Sequence, residues 1–198
     1  MNHWHEVKSM GCWGMQNGLM SEVEIEHLAA LIEHHRGPRR VLEVGHYYGL
    51  STYVIANALG PNGTLLSIDA HIKDAWVKDS NEGGYFANIR KHFTPCQVQT
   101  IIMDSRAVKT LDGFDVVFYD GDHAEEQERF TRLVMASETV DLFIFDDRDF
   151  PVPERCCDIL RDAGWRDCSP NLWRGGGDKM HAGTMTLGVF KRGKYEKP

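Results

Sequence analysis

The sequence predicts a doubly wound α/β fold, and three observations predict it. Short apolar stretches recur at residues 40–44, 64–69, 98–103, 114–120 and 142–145, and helical patterns lie between most of them. That alternation is the signature of βα units wound around a mainly parallel sheet. The stretches at 114–120 and 142–145 are apolar on both faces, as strands covered by helices on each side must be. Finally, residues 165–168 and 184–190 are separated by a glycine-rich loop with no helix, so these two strands should pair antiparallel at the sheet edge.

Each element has a local cause. Residues 1–20 are rich in Gly, Met and Trp without a period and read as an arm or lid, which leaves residues 21–198 as one domain. Ser21-Glu22-Val23-Glu24 is a capping box that opens a helix. Ile25, Leu28, Ala29 and Ile32 form its apolar stripe, and Gly37-Pro38 ends the run. A helix over 51–59 follows the first strand and is broken by Gly60-Pro61-Asn62-Gly63. A further helix is expected near 85–93. Phe130, Leu133 and Val134 mark one later helix face, and Cys156, Ile159, Leu160 and Ala163 mark another.

Composition narrows the function. With 22 Lys plus Arg against 29 Asp plus Glu, the net charge of −7 argues against a nucleic-acid binder. No apolar run reaches the roughly 18 residues that a membrane span needs. Five cysteines without a CxxC pair suit reduced thiols. The expectation is a cytoplasmic protein.

In sheets of this kind, ligands bind beyond the carboxyl ends of the strands. Acids stand at those ends here: Glu43, Asp69, Asp104, Asp120 with Asp122, and Asp146 with Asp147. Helix capping would explain one or two of them. The first turn, Glu43-Val44-Gly45-His46-Tyr47-Tyr48-Gly49-Leu50-Ser51, is not GxGxxG. Gly45 permits a tight turn, Gly49 allows backbone to approach a ligand, and a helix start at Ser51 can bind a carboxylate or phosphate. Asp69 lies 24 residues beyond Gly45, about where an acid grips ribose hydroxyls. Together these features suggest an adenosine-containing ligand.

That first turn resembles the first motif of class I S-adenosylmethionine-dependent methyltransferases. It is most similar to the metal-dependent O-methyltransferases of the catechol type and the macrocin-type sugar branch, which share G-x-Y-x-G-x-S. Tyr119-Asp120-Gly121-Asp122-His123 is similar to the D-G-D element of the sugar branch, and Phe145-Asp146-Asp147 to its D-D metal motif. The resemblance spans about residues 38–192. It implies a Rossmann-like, mostly parallel seven-stranded sheet with an antiparallel last strand and helices on both faces.

It also implies a set of site residues. Glu43, Gly45, Tyr47, Gly49 and Ser51 would surround the methionine part of S-adenosylmethionine, Asp69 its ribose, and Asp104 and Ser105 its adenine. Asp120 would border the cofactor and, with Asp146 and Asp147, hold Mg²⁺, a hard cation suited to carboxylate oxygens. The base would be Asp122, the second acid of D-G-D, or His123, which stands where catechol-type enzymes carry a lysine. Arg148 departs from the aromatic residue usual at its position. The acceptor would be the hydroxyl of a small molecule, enclosed by the arm, the 76–85 segment and the 175–177 loop, in a homodimer. Trp13, Trp76, Tyr85 and Trp173 are candidates for the acceptor wall. Two other readings stay open: a non-catalytic S-adenosylmethionine-binding module, and a nicotinamide-nucleotide enzyme. The latter is disfavoured by the missing GxGxxG and by the lack of a phosphate-binding lysine after Gly49.

Overall fold

A computed structural model describes residues 20–37, 39–46, 49–70, 96–122, 124–171 and 185–193. Outside them lie most of the arm at 1–20, Tyr47, His123, the helix expected at 85–93, the aromatic candidates Trp13, Trp76, Tyr85 and Trp173, and the 175–177 loop. Seven strands form one sheet: β1 (Arg40–Val44), β2 (Thr64–Asp69), β3 (Gln97–Ile102), β4 (Val116–Tyr119), β5 (Leu142–Phe145), β6 (Arg166–Asp167) and β7 (Gly188–Lys191). Their order is β3-β2-β1-β4-β5-β7-β6. The first five are parallel, whereas β7 runs antiparallel to both β5 and β6. The described helices are α1 (Glu22–Glu33), α2 (Leu50–Leu59), α3 (Glu125–Ala136) and α4 (Pro151–Asp162).

The period of two along each strand sorts the core into two layers. Val41, Val116, Phe118, Leu142, Ile144 and Val189 face α1 and α2. Leu42, Val44, Val117, Tyr119, Phe143, Phe145 and Phe190 face α3 and α4. β4 and β5 are buried along their whole length, as their uninterrupted apolar sequences require. The α1 capping box forms in full: Ser21 N–H donates to Glu24 Oε2 and Glu24 N–H donates to Ser21 Oγ. The stripe Ile25, Leu28, Ala29 and Ile32 is buried, and so is Cys156. Among the described residues no helix is long and apolar enough to cross a membrane.

β4 is shorter than its sequence suggested, because Asp115 works as a turn residue rather than a strand residue. Its buried carboxylate accepts hydrogen bonds from the backbone N–H groups of Arg39 and Arg40 at 3.0 and 2.6 Å, and from His35 Nε2 at 2.9 Å. Burial alone would raise its pKa, but these donors outweigh burial and hold it below the ordinary range. The resulting stabilisation is present above the usual aspartate pKa of 3.8 and is lost as pH falls through the lowered value. Asp115→Ala will leave buried donors without partners and cost about 3 kcal/mol, read as a shift in the urea midpoint at constant slope.

Candidate functional site

The site lies along the carboxyl ends of β1 to β5. Leaving β1, the chain turns at Gly45 (φ 84°), whose N–H donates to the Ile68 carbonyl, and enters α2 through Gly49 (φ 87°). Gly45 is glycine because β4 ends against it: a Cβ there would collide with the Asp120 carbonyl and stand 3.1 Å from Gly121 N. Gly49 supplies a left-handed conformation at the helix start. Among the described residues no side chain caps α2, and the N–H groups of its first turn, which have no intrahelical acceptor, can serve an anion.

Glu43 is fully buried beneath this turn. Ser51 Oγ donates to its Oε1 and Thr52 Oγ1 to its Oε2, both at 2.6 Å. Burial pushes the Glu43 carboxyl up, while the hydroxyls of Ser51, Ser67 and Thr52 and the nearby His46 pull it partly back. Glu43 and Ser51 thus satisfy each other and fasten α2 to β1. Thr52, the second partner, was not singled out in the sequence.

At the end of β2, Asp69 Oδ2 accepts from the His46 backbone N–H at 3.0 Å, with His46 Nδ1 4.0 Å away. At the end of β3, Asp104 Oδ1 accepts from Arg106 N–H at 2.8 Å and caps a short 3-10 turn, Ser105–Ala107. That backbone bond is the main reason its pKa is lowered. Ser105 Oγ donates to Glu126 Oε1 at 2.9 Å, and Arg129 grips the same carboxylate, so Ser105 is tied to α3. Past β4, the exposed Asp122 forms an Asx turn ahead of α3, accepting from Ala124 N–H at 3.0 Å. Local turn bonds therefore occupy two of the strand-end acids: Asp104 caps its 3-10 turn, and Asp122 holds the turn before α3.

The remaining acids face one another. Asp120 is pushed far upward by burial and then by the charges of Asp146, Asp147, Glu43 and Glu24. Asp146 is 5 % exposed and is pushed up to about 7 by burial and by Glu24 and Asp147. Asp147 adopts φ 54°, a left-handed conformation that aspartate tolerates, and donates its N–H to Asp146 Oδ1 at 2.7 Å. Glu24 was legible in the sequence only as a capping residue. It reaches this cluster because α1 packs beside the start of β7, where Glu24 Oε1 accepts from Thr186 N–H at 2.7 Å. Among the described residues, no three His, Cys, Asp or Glu side chains are arranged as a ready-made metal cage. The donor chemistry of Asp120, Asp146 and Asp147 nevertheless fits a hard divalent cation, whose charge would relieve their mutual repulsion.

A mostly parallel seven-stranded sheet with an antiparallel last strand and helices around it is the Rossmann-like fold of methyltransferases. A family profile described as a methyltransferase domain matches residues 42–146, more than half of the chain, and the chain belongs to that family. No curated protein matches it. Among solved structures it is similar to a SAM-dependent O-methyltransferase from Thermotoga maritima, with 15 % identity, TM-score 0.61, and coverage of 97 % of this chain and 71 % of that one. It is also similar to a precorrin-6y C5,15-methyltransferase from Geobacter metallireducens, with 12 % identity, TM-score 0.59, and coverage of 91 % and 95 %. A tRNA (uracil-54, C5)-methyltransferase from Pyrococcus abyssi, solved with S-adenosyl-L-homocysteine, has 11 % identity and TM-score 0.52 over 90 % of this chain and 39 % of that one. These three act on different acceptors, and at such identities they share the fold alone.

Proposed function

We propose that this chain transfers the methyl group of S-adenosylmethionine to a hydroxyl of a small molecule with the help of Mg²⁺. One observation carries this reading: Asp120 at the end of β4 and Asp146 and Asp147 at the end of β5 act on one another's charge at the carboxyl edge of the sheet, next to β1, which leads into α2. The first turn of α2 suits the methionine carboxylate, and Asp69 suits the ribose hydroxyls. Asp104 and Ser105 border the adenine in this reading, with Tyr47 beside the methionine part. When bound, S-adenosylmethionine supplies an electrophilic methyl on sulfur.

The acceptor oxygen must lose its proton to attack that methyl, and Asp122 or His123 takes it. Asp122 is exposed and uses Oδ1 for Ala124, which fixes its direction. Asp120, Asp146 and Asp147 would hold Mg²⁺, which would supply positive charge where the alkoxide or phenolate forms. The acceptor is small and the active form is a homodimer in this reading.

The test combines binding and turnover. Calorimetry should show S-adenosylhomocysteine binding that survives a chelator, while methylation of hydroxylated acceptors is lost with the chelator and restored by Mg²⁺. Asp122→Asn should reduce turnover more than it weakens metal binding. Turnover that resists the chelator would remove the metal from the reading, and cofactor binding without any turnover would favour a regulatory module.

A further inference from the structure

The turn that follows Asp104 has no apolar anchor of its own. None of Ser105, Arg106 and Ala107 is buried, and the Asp104 side chain ahead of them is about half exposed. The anchor comes from α3. Arg129 Nη2 donates to the Ser105 carbonyl at 2.8 Å and Nη1 to the Val108 carbonyl at 3.2 Å, so one guanidinium spans the turn. Its Nε and Nη2 also donate to the buried Glu126 at 2.9 and 2.6 Å, and Ser105 Oγ closes the ring on Glu126 Oε1.

An ion pair within one helix contributes little by itself, and it needs no bond to the carbonyls of another segment. The planar fork of arginine can meet a carboxylate and two carbonyls at once, whereas a lysine ammonium on its flexible stem cannot hold all three. Asp104 is fixed in turn to the clamped segment: its Oδ1 accepts from the N–H and Nε of Arg106 at 2.8 and 3.1 Å, and neither bond uses Oδ2. The Arg106 N–H above all, with a smaller contribution from the charge of Arg129, holds this carboxyl below its ordinary range and therefore ionised at neutral pH. An ionised carboxylate only accepts, so it suits the 6-amino group of adenine and repels the 6-oxo group of hypoxanthine.

We propose that Arg129 is a positioning residue for the base of the cofactor: by fastening the Ser105 and Val108 carbonyls to α3, it sets the Asp104 carboxylate against the 6-amino group of adenine. The proposal rests on the reading that Asp104 borders the adenine, and it deepens that reading by naming what fixes the choice of base.

The experiment measures, by calorimetry on the full chain, the affinities for S-adenosylhomocysteine and for S-inosylhomocysteine, its analogue with oxygen in place of the 6-amino group. The readout is the ratio of the two, which a general loss of stability leaves unchanged. Wild type should favour S-adenosylhomocysteine about tenfold or more, as the loss of a hydrogen bond to a charged acceptor predicts. Asp104→Ala, the direct control, should remove the preference. Arg129→Met should reduce it to about threefold or less, and Arg129→Lys, which keeps the charge without the fork, should fall between Arg129→Met and wild type. If Arg129→Met does not fold, Arg129→Lys decides alone. A wild-type ratio in the Arg129 variants, whether or not both affinities fall together, overturns the proposal alone if Asp104→Ala has lost the preference. A preference that survives in Asp104→Ala, or that wild type lacks, overturns the placing of Asp104 at the base and this proposal with it.

Discussion

Gly45→Ala will destabilise the chain by about 4 kcal/mol or more, and it will carry cofactor binding away with the fold. Two effects add. The backbone at φ 84° is strained for any side chain, at about 1–2 kcal/mol. The new methyl would also stand 2.6 Å from the Asp120 carbonyl carbon, a backbone atom that cannot swing aside. Gly164→Ala is the control, since Gly164 has φ 80° but open space around its Cβ position. It should show the conformational cost alone. Urea midpoints of the two variants will separate the effects. Equal midpoints would mean that the β1 turn can retreat from β4.

Asp69→Ala will weaken S-adenosylhomocysteine binding roughly 10²–10⁴-fold, because two charge-assisted ribose hydrogen bonds of about 1.5–3 kcal/mol each disappear. The carboxylate also receives the His46 N–H, so part of the loss could come from the turn itself. Asp69→Asn separates the two contributions: the amide oxygen still accepts from His46, while the charge is gone. Calorimetry on both variants should place the asparagine between wild type and alanine. Unchanged affinity in folded Asp69→Ala would put the ribose elsewhere.

The fold was legible because its strands obey local rules. The stretches 40–44, 64–69 and 142–145 are the strands observed, and β3 is displaced by one residue. At 114–120 the apolar pattern overran the strand at both ends, since Asp115 and Asp120 serve turns. The acids at the strand ends were visible as a set, yet their division of labour was not. Asp104 caps the 3-10 turn that follows it and Asp122 bonds the N–H two residues on, local roles that any strand-to-helix turn could impose. Glu43, expected near the cofactor, bonds the hydroxyls of Ser51 and Thr52 in α2, eight and nine positions away, which the sequence did not announce. The bond between Glu24 and Thr186 spans 162 positions, and no spacing rule reaches that far. Such contacts depend on which strand inserts where, and that is settled by the whole sheet.

That insertion fixes an order of events. β7 lies between β5 and β6 although it comes after both in the chain. Until residues 188–191 have been made and docked, β5 keeps one open edge and β6 has nothing to pair with. Closing this gap joins segments distant in sequence, which is the slow kind of contact to form. Gly188 eases the docking, since any Cβ there would stand 2.5 Å from the Phe145 ring. Thr186 arrives with the same strand, so Asp146 and Glu24 gain their common partner only at this last step. A nascent chain halted before β7 would leave Asp146 without the hydroxyl that bridges it to Glu24. The buried contact that links Asp146 to Glu24 is thus completed only with β7.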